Sequence, residues 1–389
     1  MSFAISSLVS RFEESKTLAL AARAKQLSAE GRSIVNFGLG EPDFNTPDVV
    51  LEAAAAAMKR GETKYTAVGG KPSLKKTIAA RLSEDYEHVF SPDSIVVSAG
   101  GKQAIFHFLQ AVLEPGDEVI IPAPYWVSFP EMVKMVGGIP KIARRTGERF
   151  VAEDIEREIS PRTRLLILNS PSNPSGEVYS EDELQSFLSV IRPHPIWLMS
   201  DDTYYSLIYS GQPFRSVLRI APDFQDRSCI IGSTSKSYAM TGWRLGWASV
   251  PNRIASAMVK LQSQITSNPC SIAQAAAEVA LSTPHHRVIT QGFRDRFMKR
   301  RDHAMAQLRA IQGLSMPAPD GAFYLFLKVA PLLKAETATS FAHDLLEKWG
   351  VCVIPGEAFG APDYLRLSYA LSESEISEGV SRIERALKG

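Results

Sequence analysis

Lys236 and Arg244 stand eight residues apart in Ser233-Thr234-Ser235-Lys236-Ser237-Tyr238-Ala239-Met240-Thr241-Gly242-Trp243-Arg244. The pair reads as an amine nucleophile beside a phosphate clamp. An apolar run, Cys229-Ile230-Ile231-Gly232, leads through small hydroxyl residues to the lysine. The amine is therefore expected where a buried strand stops, not on a helix face in water, and there it can be desolvated. Lysine forms imines with carbonyls, and burial or a neighbouring cation makes its free amine more available at neutral pH. The other reading is a solvated lysine in a serine-rich turn.

Comparable stretches follow other apolar runs. Ala99-Gly100-Gly101-Lys102-Gln103 opens a helix, and its glycines leave backbone N–H groups free for an anion at a helix N-terminus. Read alone it is equally an ordinary glycine turn. It has neither the G-x-x-x-x-G-K-[ST] nor the G-x-G-x-x-G spacing, which weakens nucleotide readings. Pro122-Ala123-Pro124-Tyr125-Trp126 presents an aromatic pair, with Trp126 either core filling or a plate for a flat ring. In the turn-forming run Asn169-Ser170-Pro171-Ser172-Asn173-Pro174-Ser175-Gly176, Asn173 precedes a proline and is held extended. Asp201, Asp202 and Tyr204 come after the run from Ile196. A carboxylate at a strand end is often a helix cap or a metal ligand, and the cap stays open for Asp202.

These groups need a scaffold that gathers strand ends. Short apolar runs alternate with helical patterns from about residue 50 to 285: Ser94 to Ser98, Glu118 to Pro122, Leu165 to Asn169, Ile196 to Asp201, Cys229 to Ser233 and Leu245 to Val250. Nearly continuous apolar runs fit strands covered on both faces of a mostly parallel, doubly wound α/β sheet. Helices are expected over Lys102 to Leu113, Glu181 to Ile191 and Ile272 to Leu281. From about His286 a long charged helix reaches about Ile311, followed by Gly321 to Leu327, a helix at Thr339 to Trp349, and Tyr364 to Ser368. That second part reads as a smaller α+β unit. The first 45 residues carry a helix over Ser15 to Glu30 and a Gly/Pro-rich loop, Gly38-Leu39-Gly40-Glu41-Pro42-Asp43-Phe44, suited to close backbone approach to a ligand. The expected division is a large domain over 46–285, and a discontinuous small domain of 1–45 with 286–389 flanking a cleft.

Composition narrows the ligands. The 389 residues are 45% hydrophobic and 22% charged, with 43 basic and 42 acidic side chains giving a net charge of +1. That balance suggests neither a nucleic-acid nor a membrane-surface partner, so small molecules are expected. Cys229, Cys270 and Cys352 lie far apart, which argues against a zinc site or a disulfide framework and fits a reducing cytoplasm. Met1 to Arg11 shows no basic n-region followed by an apolar stretch, and no run approaches the ~20 apolar residues of a membrane span. A cytoplasmic protein is expected, with no metal.

The ordered set is specific: Gly100-Gly101-Lys102, Pro124-Tyr125-Trp126, Asn173-Pro174-Ser175-Gly176, Asp201 with Tyr204, Ser233-x-x-Lys236, Arg244 and Arg366-Leu367-Ser368-Tyr369. It resembles the class I pyridoxal-phosphate aminotransferases of fold type I, closest to the bacterial aspartate aminotransferases. The likeness runs over nearly the whole chain, including Glu41-Pro42-Asp43-Phe44 and Gly61-Glu62-Thr63-Lys64-Tyr65.

The resemblance implies roles. Lys236 would hold pyridoxal phosphate as an imine and then move a proton at the substrate Cα. Asp201 would keep the ring nitrogen protonated, making the ring an electron sink. Asn173 and Tyr204 would hydrogen-bond the phenolic oxygen, and Trp126 would stack on the ring. Arg244, Ser233, Ser235 and the Gly101-Lys102 backbone would hold the phosphate, with Tyr65 reaching in from the second subunit of a homodimer with shared active sites. Arg366, helped by the Gly40 backbone, would take the substrate α-carboxylate as a bidentate pair, with Trp126 and Asn173 beside it. Cis peptides are implied before Pro124 and Pro174.

Two departures stand out. Asp202 and Thr203 replace a usual glutamate and aliphatic residue, neither expected to touch the chemistry. The segment Gln264-Ile265-Thr266-Ser267-Asn268 lacks the arginine that one branch of the family uses for a distal carboxylate. In the branch resembled here the Gly-Gly-Lys lysine serves, and Lys102 is present. The implied activity moves an amino group from an L-amino acid, aspartate first, to 2-oxoglutarate by a ping-pong cycle. Aromatic amino acids or prephenate are the alternative, with Phe12 and Trp126 lining the side-chain pocket. A non-catalytic regulatory module would need a basic helix-turn-helix extension. A nicotinamide dehydrogenase would need G-x-G-x-x-G after its first strand.

Overall fold

The apolar runs become strands because each has two hydrophobic faces. The computed structural model describes residues 5–12, 16–211, 214–282, 285–333 and 337–388. A short β1 (Val35–Asn36) precedes β2 (Ile95–Ser98), β3 (Glu118–Ala123), β4 (Ile139–Arg144), β5 (Thr163–Asn169), β6 (Trp197–Asp201), β7 (Ser228–Ser233) and β8 (Gly246–Ser249). Later come β9 (Tyr324–Lys328), β10 (Val351–Cys352), β11 (Ile354–Pro355) and β12 (Tyr364–Ser368). Strands β2 to β8 form one sheet in the order β2-β8-β7-β6-β5-β3-β4. Along β5, Leu166 and Leu168 enter one buried cluster while Leu165 and Ile167 enter the other, and β6 and β7 split their side chains the same way. Successive side chains point to opposite faces, so a sheet with apolar residues at every position must be covered twice.

Helices supply that cover. Gly101–Val112 and Asn252–Ile265 pack on one side, and Pro72–Tyr86 and Ser271–Leu281 on the other. The helix Glu181–Ile191 starts at a reciprocal cap: Ser180 Oγ accepts from the Glu183 N–H, and the Glu183 carboxylate accepts from the Ser180 N–H.

The structure corrects the sequence reading in two strands. β8 runs antiparallel to both β2 and β7, whereas its apolar run read as parallel. Residues 234–245 form a returning loop with only one helical turn, and a parallel neighbour needs a longer crossover. β4 was missed because it is an edge strand, mostly half-exposed and interrupted by Pro140, a residue edges tolerate.

The remaining strands form two small sheets, β11-β12-β9 and β1-β10. The N-terminal segment is tied into them, since β1 pairs parallel with β10 and the Ser368 N–H donates to the Phe37 carbonyl at 2.8 Å. Helices Lys16–Ala29, His285–Arg309, Ala338–Trp349 and Glu373–Lys388 surround this part. Ser15, where the sequence begins the first of these, lies outside the described residues, as do Met1 to Ala4.

Candidate active site

The carboxyl ends of β5, β6 and β7 lie side by side, with Asn169 registered against Asp201 and Asp201 against Ile231. Ligands of open α/β sheets bind beyond such ends. A cavity of about 440 Å³ opens there. Its lining includes Gly40, Gly101, Lys102, Trp126, Asn173, Asp201, Tyr204, Ser233, Ser235, Lys236, Arg244 and Arg366, all the expected site residues but Tyr65 and Phe12. Tyr65 is 90% exposed and outside this cavity. Phe12 does not line it either, so its expected place beside the substrate side chain is not found within this chain.

Close packing forms the floor. A Cβ on Gly246 would fall 2.3 Å from the Gly101 nitrogen, so β8 can pass under the turn after β2 only with glycine at 246. Gly100 has φ +92°, and a Cβ there would strike the Arg244 guanidinium at 2.6 Å. Arg244 itself has φ +53°, a left-handed backbone that costs a bulky residue about 1 kcal/mol or more. Its Nη1 donates to the Thr241 carbonyl at 2.8 Å. The guanidinium is thus placed beside the free N–H groups that start Gly101–Val112, where an anion is favoured. Ser233 and Ser235 complete this corner, the Ser235 N–H donating to Ser233 Oγ at 3.3 Å.

Lys236 lies on the single helical turn Thr234–Ser237 that follows β7. It is on a helix after all, but its Nζ points inward and donates to the Gly40 carbonyl at 2.5 Å. Burial is the main cause that pulls its pKa down from 10.5 to about 8, aided by Arg366 and Arg244 and opposed by Glu41 and Asp201. At pH 7 about one amine in ten is then neutral, against about one in three thousand at the ordinary value. Asp201 is buried and its pKa is raised, chiefly by desolvation, while hydrogen bonds from the Thr203 side chain and N–H hold it down. The Thr203 N–H lies 3.2 Å from Asp201 Oδ1 and Thr203 lines the cavity, a placement beside Asp201 that the sequence reading did not give it.

Asn169 joins two strand ends: its Nδ2 donates to the Asp201 carbonyl at 2.9 Å and its Oδ1 accepts from the Asn173 N–H at 2.9 Å. The turn it braces contains cis peptides before Pro171 and Pro174, and a third precedes Pro124; the one at Pro171 was not anticipated. Arg366, on β12, is buried; Nη1 donates to Asn173 Oδ1 at 3.0 Å and Nη2 to the Gly38 carbonyl at 2.9 Å. Its Nε is buried without a partner, and no carboxylate pairs with it among the described residues. A buried guanidinium in that condition suits an incoming carboxylate. Lys102 sits 4.9 Å from the centre of the Trp126 ring, its pKa lowered by burial and then by Arg244.

Tyr324, Asn169, Glu41 and Thr241 also line the cavity and were not singled out from sequence. Glu41 is fastened to the opposite loop by the Thr241 hydroxyl at 2.8 Å. Glu41 was legible as part of a Gly/Pro-rich loop and of a motif in the resemblance, without a role of its own, and Tyr324 read as one more apolar strand residue.

A desolvated lysine, a buried carboxylate, an anion corner and an arginine without a carboxylate partner share one cavity, an arrangement suited to an enzyme that uses a phosphorylated carbonyl cofactor on a carboxylate substrate. The residues fit pyridoxal phosphate, with an anion corner suited to a phosphate, an amine suited to a carbonyl and a carboxylate suited to a ring nitrogen. The chain matches the model for aminotransferase class I and II over residues 32–383, and it belongs to that family, whose cofactor is pyridoxal phosphate. The aspartate/prephenate aminotransferase of Cereibacter sphaeroides is 41% identical over 99% of both chains. The crystal structure of the aspartate aminotransferase from Rhizobium meliloti superposes with a TM-score of 0.95 at 41% identity, covering 100% of this chain and 99% of that one. The Thermus thermophilus aspartate aminotransferase with maleate gives a TM-score of 0.94 at 37% identity, over 99% and 100%. The fold is therefore that of the fold type I aminotransferases and the chain is a transaminase. No helix among the described residues is long and apolar enough to cross a membrane.

Proposed function

We propose that this transaminase moves the amino group of L-aspartate to 2-oxoglutarate in two half-reactions through one cavity. The observation that carries the reading is the placement of Lys236, Asp201 and Arg366 around a single space with Lys102 at its side. Pyridoxal phosphate, when bound, supplies the electron sink for charge at the substrate Cα. Lys236 Nζ would be its attachment point and would hold and move the proton at the substrate Cα. Asp201 would keep the ring nitrogen protonated, Asn173 and Tyr204 would donate to the phenolic oxygen, and Trp126 would stack on the ring. Ser233, Ser235, Arg244 and the Gly101-Lys102 backbone would hold the phosphate. Arg366, flanked by the Gly40 backbone, binds the α-carboxylate.

Lys102 is the reason for choosing a dicarboxylate. The lining carries four cations, Lys102, Lys236, Arg244 and Arg366, against Glu41 and Asp201. With Arg244 on phosphate and Arg366 on the α-carboxylate, Lys102 is left for a second carboxylate. Maleate, the dicarboxylate in the Thermus structure, supports this reading, and prephenate, in the name of the Cereibacter relative, is the second acceptor. We further propose a homodimer in which exposed Tyr65 completes the partner's cavity. Residues 46–285 would form the large domain and 1–45 with 286–389 the small one, as the confinement of the seven-stranded sheet to 95–249 supports. A cytoplasmic location fits the free thiols of Cys229, Cys270 and Cys352.

The test is a half-reaction. Adding L-aspartate to the cofactor-loaded protein is expected to bleach the bound-cofactor absorbance with release of one oxaloacetate per site, and 2-oxoglutarate is expected to restore it. A response to L-phenylalanine alone would overturn the aspartate assignment. A second expectation follows from the lowered Lys236 pKa. Capture of pyridoxal phosphate by cofactor-free protein should accelerate about tenfold per pH unit below pH 7 and level off above about pH 8, as stopped-flow absorbance would show. A rate still climbing steeply through pH 9 would mean an ordinary lysine.

A further inference from the structure

Tyr324 opens β9, is fully buried and lines the cavity, yet none of the roles above belongs to it. Its hydroxyl lies 2.8 Å from that of Tyr204. Arg366 places its guanidinium carbon 4.6 Å from the centre of the Tyr324 ring. A Cβ on Gly40 would come within 3.3 Å of the Tyr324 oxygen, so the loop that accepts from Lys236 closes over the same hydroxyl.

A phenol has one proton to give and lone pairs to receive. If Tyr204 spent its proton on Tyr324, it would have none for the cavity. If Tyr324 is the donor, the Tyr204 proton is free to point inward. We infer that Tyr324 is a positioning residue with two separable effects. Its hydroxyl donates to Tyr204 and so commits the Tyr204 proton to the cofactor's phenolic oxygen, and its ring supports the carboxylate-binding Arg366. The inference rests on the roles of Tyr204 and Arg366 proposed above. The charged and titratable groups facing the tyrosine pair are Arg366 from β12 and Asp201 from β6. Arg366 favours the ionised phenols and Asp201 opposes ionisation of Tyr204, while burial dominates and keeps both protonated. Chains of hydrogen bonds in a buried site strengthen one another, so losing the outer donor weakens the inner one.

Tyr324→Phe removes the hydroxyl and keeps the ring; Tyr324→Leu removes both. Each variant, loaded with pyridoxal phosphate, is titrated by absorbance against pH without substrate, and its affinity for maleate is measured. A proton donated to the phenolic oxygen favours the form of the cofactor with most charge there. Tyr324→Phe is therefore expected to raise the titration midpoint by about half to one pH unit, with maleate affinity within about twofold of wild type. Tyr324→Leu is expected to show the same shift and to bind maleate about fivefold or more weakly, through loss of the cation–π platform. A normal wild-type titration with an unshifted Tyr324→Phe midpoint would overturn this inference alone. Absence of any cofactor band in the wild type would overturn the proposed function and this inference with it.

Discussion

Replacing Lys236 with alanine is expected to lower kcat by about 10⁴-fold or more, since the substitution removes both the covalent attachment and the group that moves the Cα proton. The protein should still fold. The side-chain amine donates to the Gly40 carbonyl, a bond at the protein's cavity and not within its core. Its pKa is lower in the folded chain, about 8, than the ordinary 10.5. Between those values the unfolded chain holds the proton and the folded chain does not, so this group makes stability rise with pH there and is unfavourable below pH 8. Alanine removes that penalty. Thermal unfolding of the cofactor-free proteins at pH 7 should therefore show a Tm at or above wild type, while steady-state assays with cofactor show the loss. Retention of more than about 1% of wild-type kcat would remove Lys236 from the chemistry.

Substituting leucine for Arg366 is expected to reduce kcat/KM for aspartate by roughly 30-fold to several thousand-fold, the range for truncating one partner of a buried, hydrogen-bonded charge pair. Because every amino acid presents an α-carboxylate, phenylalanine should suffer equally. The ratio of the two kcat/KM values should stay within about threefold of wild type, a difference under about 1 kcal/mol. Arg366→Lys should fall between, since lysine keeps the charge and loses the fork that meets Asn173 Oδ1 and the Gly38 carbonyl. A selective loss of aspartate would show instead that Arg366 reads the side chain. The folded protein is expected to tolerate leucine, because a buried arginine without a carboxylate costs desolvation that leucine does not.

The two experiments address different parts of the molecule, and these differ in how they can be read from sequence. Lys236 and Arg244 were legible because the buried strands of the large sheet are mostly apolar, so their ends are marked where hydroxyl, glycine, proline or acidic residues begin. The same rule located Gly101, Asn173 and Asp201, and the helical pattern over Glu181–Ile191 matches the helix observed. It failed where burial is partial. Edge strand β4 has few buried side chains, and its run of mixed residues carries no period that separates it from a loop.

What the sequence by itself determined is the kind of group at each strand end and the order in which those groups occur, because burial on both faces and turn chemistry act over a few residues. Tertiary structure decided which groups meet. Gly40, Asp201, Lys236, Tyr324 and Arg366 share one cavity only because β9 and β12 pair and the N-terminal segment docks on them through β1 and β10. Within the apolar run Phe323 to Leu327, Tyr324 looks like core until that pairing aims its hydroxyl at Tyr204. Thr203 looks incidental until its N–H meets Asp201. The reactivity of Lys236 belongs to the same level, since a lysine has an ordinary pKa until segments distant along the chain exclude water from it and place Arg366 and Arg244 nearby.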